Sequence, residues 1–329
     1  MAMTVVQGTD GAEATGTQGR DATAGLGARR MTLEPWGVQV GPVTHLAEER
    51  DRLSRLTFDE FDVRPVGPTI GAQIDGVDLT SPLSDTVVAE LERCLHEYKV
   101  LFFRDQPLTP AQHVAFARRF GELEVHPFIT ANSDQPELVR FEKEATVGGF
   151  ENGWHSDVSW REHPSLGAVL HAVEIPAVGG DTLFADMYAA YDGLEPGLQE
   201  QIEELTAVHD FSMVFGHTVK PEDKDAMRRK FPPVEHPVVR THPATGRKLI
   251  YVNRFFVDYI VGMDRDESDA LIARLAREAE TVEYQCRFHW EPDSVAFWDN
   301  RAVQHYAASD YWPERRVMER ASIVGDRPV

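Results

Sequence analysis

The stretch Trp154-His155-Ser156-Asp157 contains a His-x-Asp pair. On a β-strand, residues two apart project to the same side, so His155 and Asp157 are expected to offer an imidazole and a carboxylate to one point. A third ligand must come from elsewhere, and His305, within Gln304-His305-Tyr306, is the candidate. Two histidines and one carboxylate on one face of an octahedral ion leave three adjacent positions open, which is the arrangement of non-haem Fe(II) oxygenases. The same three donors suit a catalytic zinc with a bound water, so a zinc hydrolase stays open on these residues alone. With 13 histidines in the chain, a His-x-Asp pair is expected by chance about once, and a lone buried histidine is more often a core residue than a ligand.

Two arginines after His305 narrow the chemistry. Arg316 and Arg320 lie in a strand-like run over residues 316–324, and their even separation puts them on one face. Two guanidiniums facing inward are costly unless anions pair with them, and a guanidinium matches a carboxylate with two parallel hydrogen bonds. One can hold the distal carboxylate of 2-oxoglutarate and the other an anionic group of a substrate. The competing reading leaves one or both in solvent, since a strand register slipped by one residue reverses the faces.

The elements that must position these groups follow from pattern. Ser84 is expected to cap a helix with Val87, Val88, Leu91 and Leu95 on one face. Val100-Leu101-Phe102-Phe103 suits a buried strand. Thr109 and Pro110 give an N-cap and first-turn pair for a helix ending near Gly121. Beyond Gly121, short apolar runs at 166–173, 237–240, 249–253, 282–290 and 294–298 alternate with Pro, Gly and Asp turns, the pattern of an antiparallel barrel or sandwich. One later helix is expected over 266–279, with Leu271, Ile272 and Leu275 inward. Residues 1–35 are expected to be a disordered tail, because residues 1–30 are rich in Gly, Ala and Thr and lack aromatic residues. The folded body is expected over 61–329 as one domain.

Composition sets outer limits. The 329 residues carry a formal net charge of −21, which repels phosphate backbones and anionic bilayers. Nucleic acid and membrane partners are therefore not expected, and a small anionic ligand needs locally placed arginines. Cys94 and Cys286 are the only cysteines. They read as two buried thiols in a reducing cytoplasm. No apolar run reaches the length of a membrane span, and no secretory signal pattern is evident. A homo-oligomer, dimer or tetramer, is compatible with all of this.

Taken together, the residues resemble the taurine dioxygenase family (TauD/TfdA) of Fe(II)- and 2-oxoglutarate-dependent enzymes. The resemblance covers about residues 61–328 and rests on Ile70-Gly71-Ala72-Gln73-Ile74, Phe103-Arg104-Asp105-Gln106, Trp154 to Val158, Gly179-Gly180-Asp181-Thr182-Leu183 and His236 to Pro243. The most specific stretch is Trp298-Asp299-Asn300-Arg301, continuing to Gln304-His305-Tyr306, then Arg315-Arg316 and Arg320.

The resemblance implies an α+β, mainly β chain built on a double-stranded β-helix, a cupin-like jelly roll with flanking helices. It assigns His155, Asp157 and His305 to Fe(II), and Arg316 and Thr182 to the distal carboxylate of 2-oxoglutarate, with O₂ as the other cosubstrate. For the substrate anion it points to Arg320, His126 and the backbone N–H of Val158, with Phe215 and Phe256 as apolar walls. Taken singly, Thr182 reads as a strand residue and either Phe as plain core. The chain departs from the taurine enzymes at Ile129, where they carry a tyrosine, and at Glu151, where they carry an asparagine. The expected reaction is hydroxylation of a taurine-like sulfonate or alkyl sulfate beside the heteroatom, yielding aldehyde, sulfite or sulfate, succinate and CO₂, a role in sulfur metabolism. An aryloxyalkanoate or other carboxylate substrate on the same scaffold is the alternative.

Overall fold

The computed structural model describes residues 31–33, 38–127, 134–149, 151–217 and 219–329. The tail expected over 1–35 falls outside these residues, apart from Met31–Leu33, which pairs antiparallel with Val38–Val40. The chain divides into the units Met1–Thr44 and His45–Val329, and everything below concerns the second.

A seven-stranded sheet is its backbone. In spatial order the strands are Asp62–Pro65, Ala72–Asp75, Val100–Phe103, Val295–Asp299, Ser165–Glu174, Arg316–Val324 and Leu138–Lys143. Alternation along the strands separates two cores. Leu101, Phe103, Val169, Val295, Phe297, Ala321 and Ile323 face one way and pack with Leu91, Leu95 and Val114 from two helices. Val100, Phe102, Leu170, Ala296, Trp298 and Met318 face the other way and pack with Phe184, Phe288, Trp290 and Val303. Those last four belong to or adjoin a three-stranded sheet ordered Gln285–Phe288, Thr182–Asp186, Val303–Ala307. The result is an α+β fold in which two sheets enclose one core and helices cover the outer face of the larger sheet.

The helices start where side chains can accept the orphan N–H groups of a first turn. Ser84 accepts from Val87 N and opens Asp85–Tyr98. Thr109 and Gln112 form a reciprocal capping box at the start of Pro110–Ala117, followed by a short 3-10 turn, Arg118–Phe120. The later helix runs Arg265–Ala276 with Ile272 and Leu275 buried, while Leu271 is only half-buried. The run at 237–240 is interrupted: Val234–Pro237 joins one small sheet and Val239–Thr241 another. Cys94 and Cys286 are buried free thiols, raised in pKa by burial. Among the described residues, no helix is long and apolar enough to cross a membrane.

Candidate active site

His155 and His305 are held opposite each other by their own backbones. His155 N donates to His305 O at 3.1 Å, and His305 N donates to His155 O at 2.8 Å. Asp157 does not follow on a strand, as the sequence pattern suggested; it begins a turn. That turn is braced by Asn300, whose Oδ1 accepts from Asp157 N at 2.7 Å and whose Nδ2 donates to Asp157 O at 3.0 Å and Ser165 O at 3.1 Å. The next residue, Val158, is held at φ +46°, a left-handed conformation that β-branched side chains rarely adopt.

The three side chains converge, with donor atoms within 4.8 Å of one another. Asp157 Oδ1 lies 3.9 Å from His155 Nε2, and Oδ2 lies 3.9 Å from His305 Nε2. His155 Nδ1 faces the carbonyl of Gly153 at 2.8 Å. A carbonyl only accepts, so Nδ1 carries the proton and Nε2 keeps its lone pair. Phe255 stacks flat on this ring, 4.8 Å away at 7°. Gly153 makes that approach feasible, since a Cβ there would sit 2.1 Å from Phe255 Cε1.

Electrostatics set the protonation states a divalent ion requires. Burial lowers the pKa of His155 and takes His305 down to about 3, so both imidazoles are neutral at pH 7. Burial alone would raise Asp157, but Arg320, followed by His305 and His155, outweighs it and holds the carboxyl at about 2. Arg320 Nη1 lies 2.9 Å from both Asp157 oxygens. Two neutral nitrogens and one carboxylate are the donor set of a 2-His-1-carboxylate metal site.

Arg316 enters the same cavity. It is buried, and its Nε and Nη2 have no hydrogen-bond partner. An unpartnered buried guanidinium is costly, so this slot is shaped for an anion. Burial lowers its pKa, against Tyr311 and Glu151, which raise it. Gly180, at φ +74°, lies against it, and a Cβ there would be 3.1 Å from Arg316 Nε. Thr182 also lines the cavity, and its Oγ1 accepts from Trp290 Nε1 at 3.0 Å. With that lone pair engaged, the hydroxyl hydrogen can be donated elsewhere.

His126, Val158, Phe215, Phe256 and Glu151 all line the cavity too. Burial, then Arg320 and Arg161, takes His126 down to about 3, so it is a neutral hydrogen-bonding ring. Phe215 and Phe256 stack at 6.2 Å. Arg320 Nε is buried without a partner. Ile129 lies outside the described residues.

Sequence reasoning missed several lining groups. Lys143 pairs with Glu151 at 3.0 Å, and no periodicity marks it beforehand. Phe255 is adjacent to the named Phe256, but nothing in its spacing indicates which ring covers His155. Phe141 packs under the Arg320 guanidinium at 4.9 Å.

Comparison with known proteins agrees with this geometry. The family model described as taurine catabolism dioxygenase TauD, TfdA family, matches residues 62–322. An alpha-ketoglutarate-dependent sulfate ester dioxygenase of Pseudomonas putida is 35% identical over 279 residues, covering 82% of this chain and 91% of that protein. An alpha-ketoglutarate-dependent 2,4-dichlorophenoxyacetate dioxygenase of Cupriavidus pinatubonensis is 35% identical, covering 80% of this chain and 98% of its own length. The crystal structure of a taurine dioxygenase from Burkholderia xenovorans superposes with a TM-score of 0.72 at 37% identity, covering 82% of this chain and 91% of that one.

Proposed function

Since the chain belongs to the TauD, TfdA family, an enzyme class that uses Fe(II), 2-oxoglutarate and O₂ on small anionic substrates, we propose that it hydroxylates an alkyl sulfate, or a sulfonate without an ammonium group, at the carbon beside the heteroatom. In this reading the two sheets are the halves of a jelly roll. The observation that carries the substrate class is the Lys143–Glu151 pair at 3.0 Å. Among the described residues, Glu151 is the acidic lining group besides Asp157 that could meet a substrate ammonium, and Lys143 already pairs with it. Phe141, Val214, Phe215, Phe255 and Phe256 line the cavity together with the cationic Arg320, which suits an anionic head on a hydrocarbon body.

The chain's residues divide the work. His155, Asp157 and His305 would hold the iron from one side. Arg316 would clamp the far carboxylate of 2-oxoglutarate with its two unpartnered nitrogens, and the Thr182 hydroxyl would donate to the same carboxylate. The iron centre, with its cosubstrates, supplies the oxidising power for C–H hydroxylation. Arg320, the neutral His126 ring and the Val158 N–H would hold the substrate anion. Phe215 and Phe256 would wall the body and keep water out. The hydroxylated carbon of an alkyl sulfate then loses sulfate and collapses to an aldehyde, so R–CH₂–OSO₃⁻, O₂ and 2-oxoglutarate give R–CHO, hydrogen sulfate, succinate and CO₂.

An aerobic assay with Fe(II) that measures succinate and released anion across alkyl sulfates, alkanesulfonates, taurine and aryloxyacetates tests the proposal. Alkyl sulfates are expected to give equimolar succinate and sulfate at the highest kcat/KM. A higher kcat/KM with taurine or an aryloxyacetate would overturn the substrate assignment.

A further inference from the structure

On the opposite face of the large sheet from the active site lies a second buried group of metal-ligand type, formed by His113, His171 and Glu319. His113 sits on the helix Pro110–Ala117, His171 on the strand Ser165–Glu174 and Glu319 on the strand Arg316–Val324. His171 and Glu319 are direct cross-strand neighbours. Alternation explains the placement: Leu170 and Arg320 point into the catalytic cavity, so His171 and Glu319 point away from it. The donor atoms of the three lie within 4.8 Å of one another, the same limit the catalytic triad meets.

The hydrogen-bonding pattern prepares a lone pair on His113. His113 Nε2 faces the carbonyl of Val169 at 2.9 Å, so the proton sits on Nε2 and Nδ1 keeps its lone pair. His171 Nε2 lies 3.4 Å from Asp293 Oδ1, a charge contact without hydrogen-bond geometry, so neither ring nitrogen of His171 has a partner. Both Nδ1 atoms are buried and have no hydrogen-bond partner. Glu319 is oriented by Arg140, whose Nη1 donates to its Oε1 at 2.9 Å. An imidazole whose far N–H is tied to a carbonyl or carboxylate, beside a braced carboxylate, is the outer-shell arrangement that protein metal ligands use.

We propose that His113, His171 and Glu319 form a second, non-catalytic site for a divalent ion of the zinc class, which ties the helix Pro110–Ala117 to the strand Ser165–Glu174 and to the strand Arg316–Val324, the one that carries both arginines of the cavity. Two imidazoles and one carboxylate match zinc's preferred donors, with water completing four-coordination. The site is closed from the catalytic cavity by the sheet itself. It therefore does not depend on the reaction proposed above.

The test uses untagged full-length protein stripped with a chelator. Equilibrium dialysis against zinc with elemental analysis is expected to give two equivalents for the wild type and one for Asp157→Ala, which loses the catalytic carboxylate. In the Asp157→Ala background, cobalt(II) should produce d–d absorption, and zinc should raise the melting temperature by on the order of 5 °C. Adding Glu319→Gln, which keeps an acceptor for Arg140, should weaken the remaining equivalent at least tenfold, and His113→Gln should do the same. Both variants are checked for folding by circular dichroism. A folded Asp157→Ala protein that takes up no zinc or cobalt would overturn the proposal, and so would binding that neither His113→Gln nor Glu319→Gln weakens.

Discussion

Arg320 lays a single nitrogen, Nη1, across both carboxylate oxygens of Asp157, 2.9 Å from each. The arginine expected to hold a substrate anion is therefore also the counter-charge of the carboxylate expected to bind iron. The pair is charge-balanced inside the protein. A divalent cation held by Asp157 would share its carboxylate with the guanidinium.

That sharing gives a prediction with a definite sign. Arg320→Met removes a competitor for Asp157, so the Fe(II) dissociation constant should fall or stay level. The substrate loses a charged hydrogen-bond donor, a change of about 1.5–3 kcal/mol, so its KM should rise roughly 10- to 100-fold. Succinate release without substrate should persist. Metal titration beside steady-state kinetics checks this. A weaker Fe(II) site in the variant would mean that the guanidinium orients Asp157 rather than competing for it.

The far end of the cavity gives a second. Trp290 Nε1 donates to Thr182 Oγ1, and this leaves the hydroxyl hydrogen available to an anion beside Arg316. Thr182→Val keeps the shape and removes the donor. It should raise KM for 2-oxoglutarate by about 5- to 10-fold, the worth of one hydrogen bond of ~1 kcal/mol or slightly more, with kcat little changed. Trp290→Phe should shift KM in the same direction by less. A fall in kcat with unchanged KM would place Thr182 outside the cosubstrate site.

The sequence made some of this arrangement legible and hid the rest for physical reasons. Arg316 and Arg320 share a face because strand alternation is local, and a period of two survives into the fold. The capped helix starts at Ser84 and Thr109 were readable for the same reason. His155 and Asp157 converge, but not by alternation: a turn does it, and the brace is Asn300, 143 residues away from Asp157. No local pattern encodes such a bond. Lys143 and Glu151 meet across a loop, and His113, His171 and Glu319 meet across a sheet and a helix. Contacts of that kind depend on topology, which spacing alone does not specify.

Histidine burial predicts how the metal-free protein responds to acid. Burial lowers the pKa of His96, His113, His126, His155, His171, His209, His236 and His305. His113, His126 and His305 reach about 3 and His236 about 4. An unfolded histidine titrates near 6.5. Below that pH the unfolded chain binds protons that the native chain refuses, so stability is complete above about 6.5 and is lost as pH falls towards the native values. Two such protons give a slope of roughly 2.7 kcal/mol per pH unit. The urea midpoint of chelator-treated protein should drop markedly between pH 7.5 and pH 5.5. An unchanged midpoint would show that these rings are protonated in the fold.

The Lys143–Glu151 pair is the most direct handle on substrate choice. Lys143 is nearly buried and matches the one acidic side chain, outside the metal triad, that lines the cavity among the described residues. Replacing it by methionine keeps the aliphatic stem and leaves Glu151 with its charge exposed to the cavity. With the Lys143 ammonium gone, the Glu151 carboxylate should repel purely anionic substrates and attract an ammonium. Lys143→Met is therefore expected to lower kcat/KM for alkyl sulfates by about 10-fold and to raise it for an aminosulfonate such as taurine, so that the ratio of the two moves by roughly 100-fold, or about 2.7 kcal/mol. The double variant Lys143→Met/Glu151→Gln removes both charges and should restore the preference for sulfates. If both variants leave the ratio where the wild type has it, the pair does not face the bound substrate, and the choice between sulfate, sulfonate and carboxylate is made at the Arg320 end of the cavity instead.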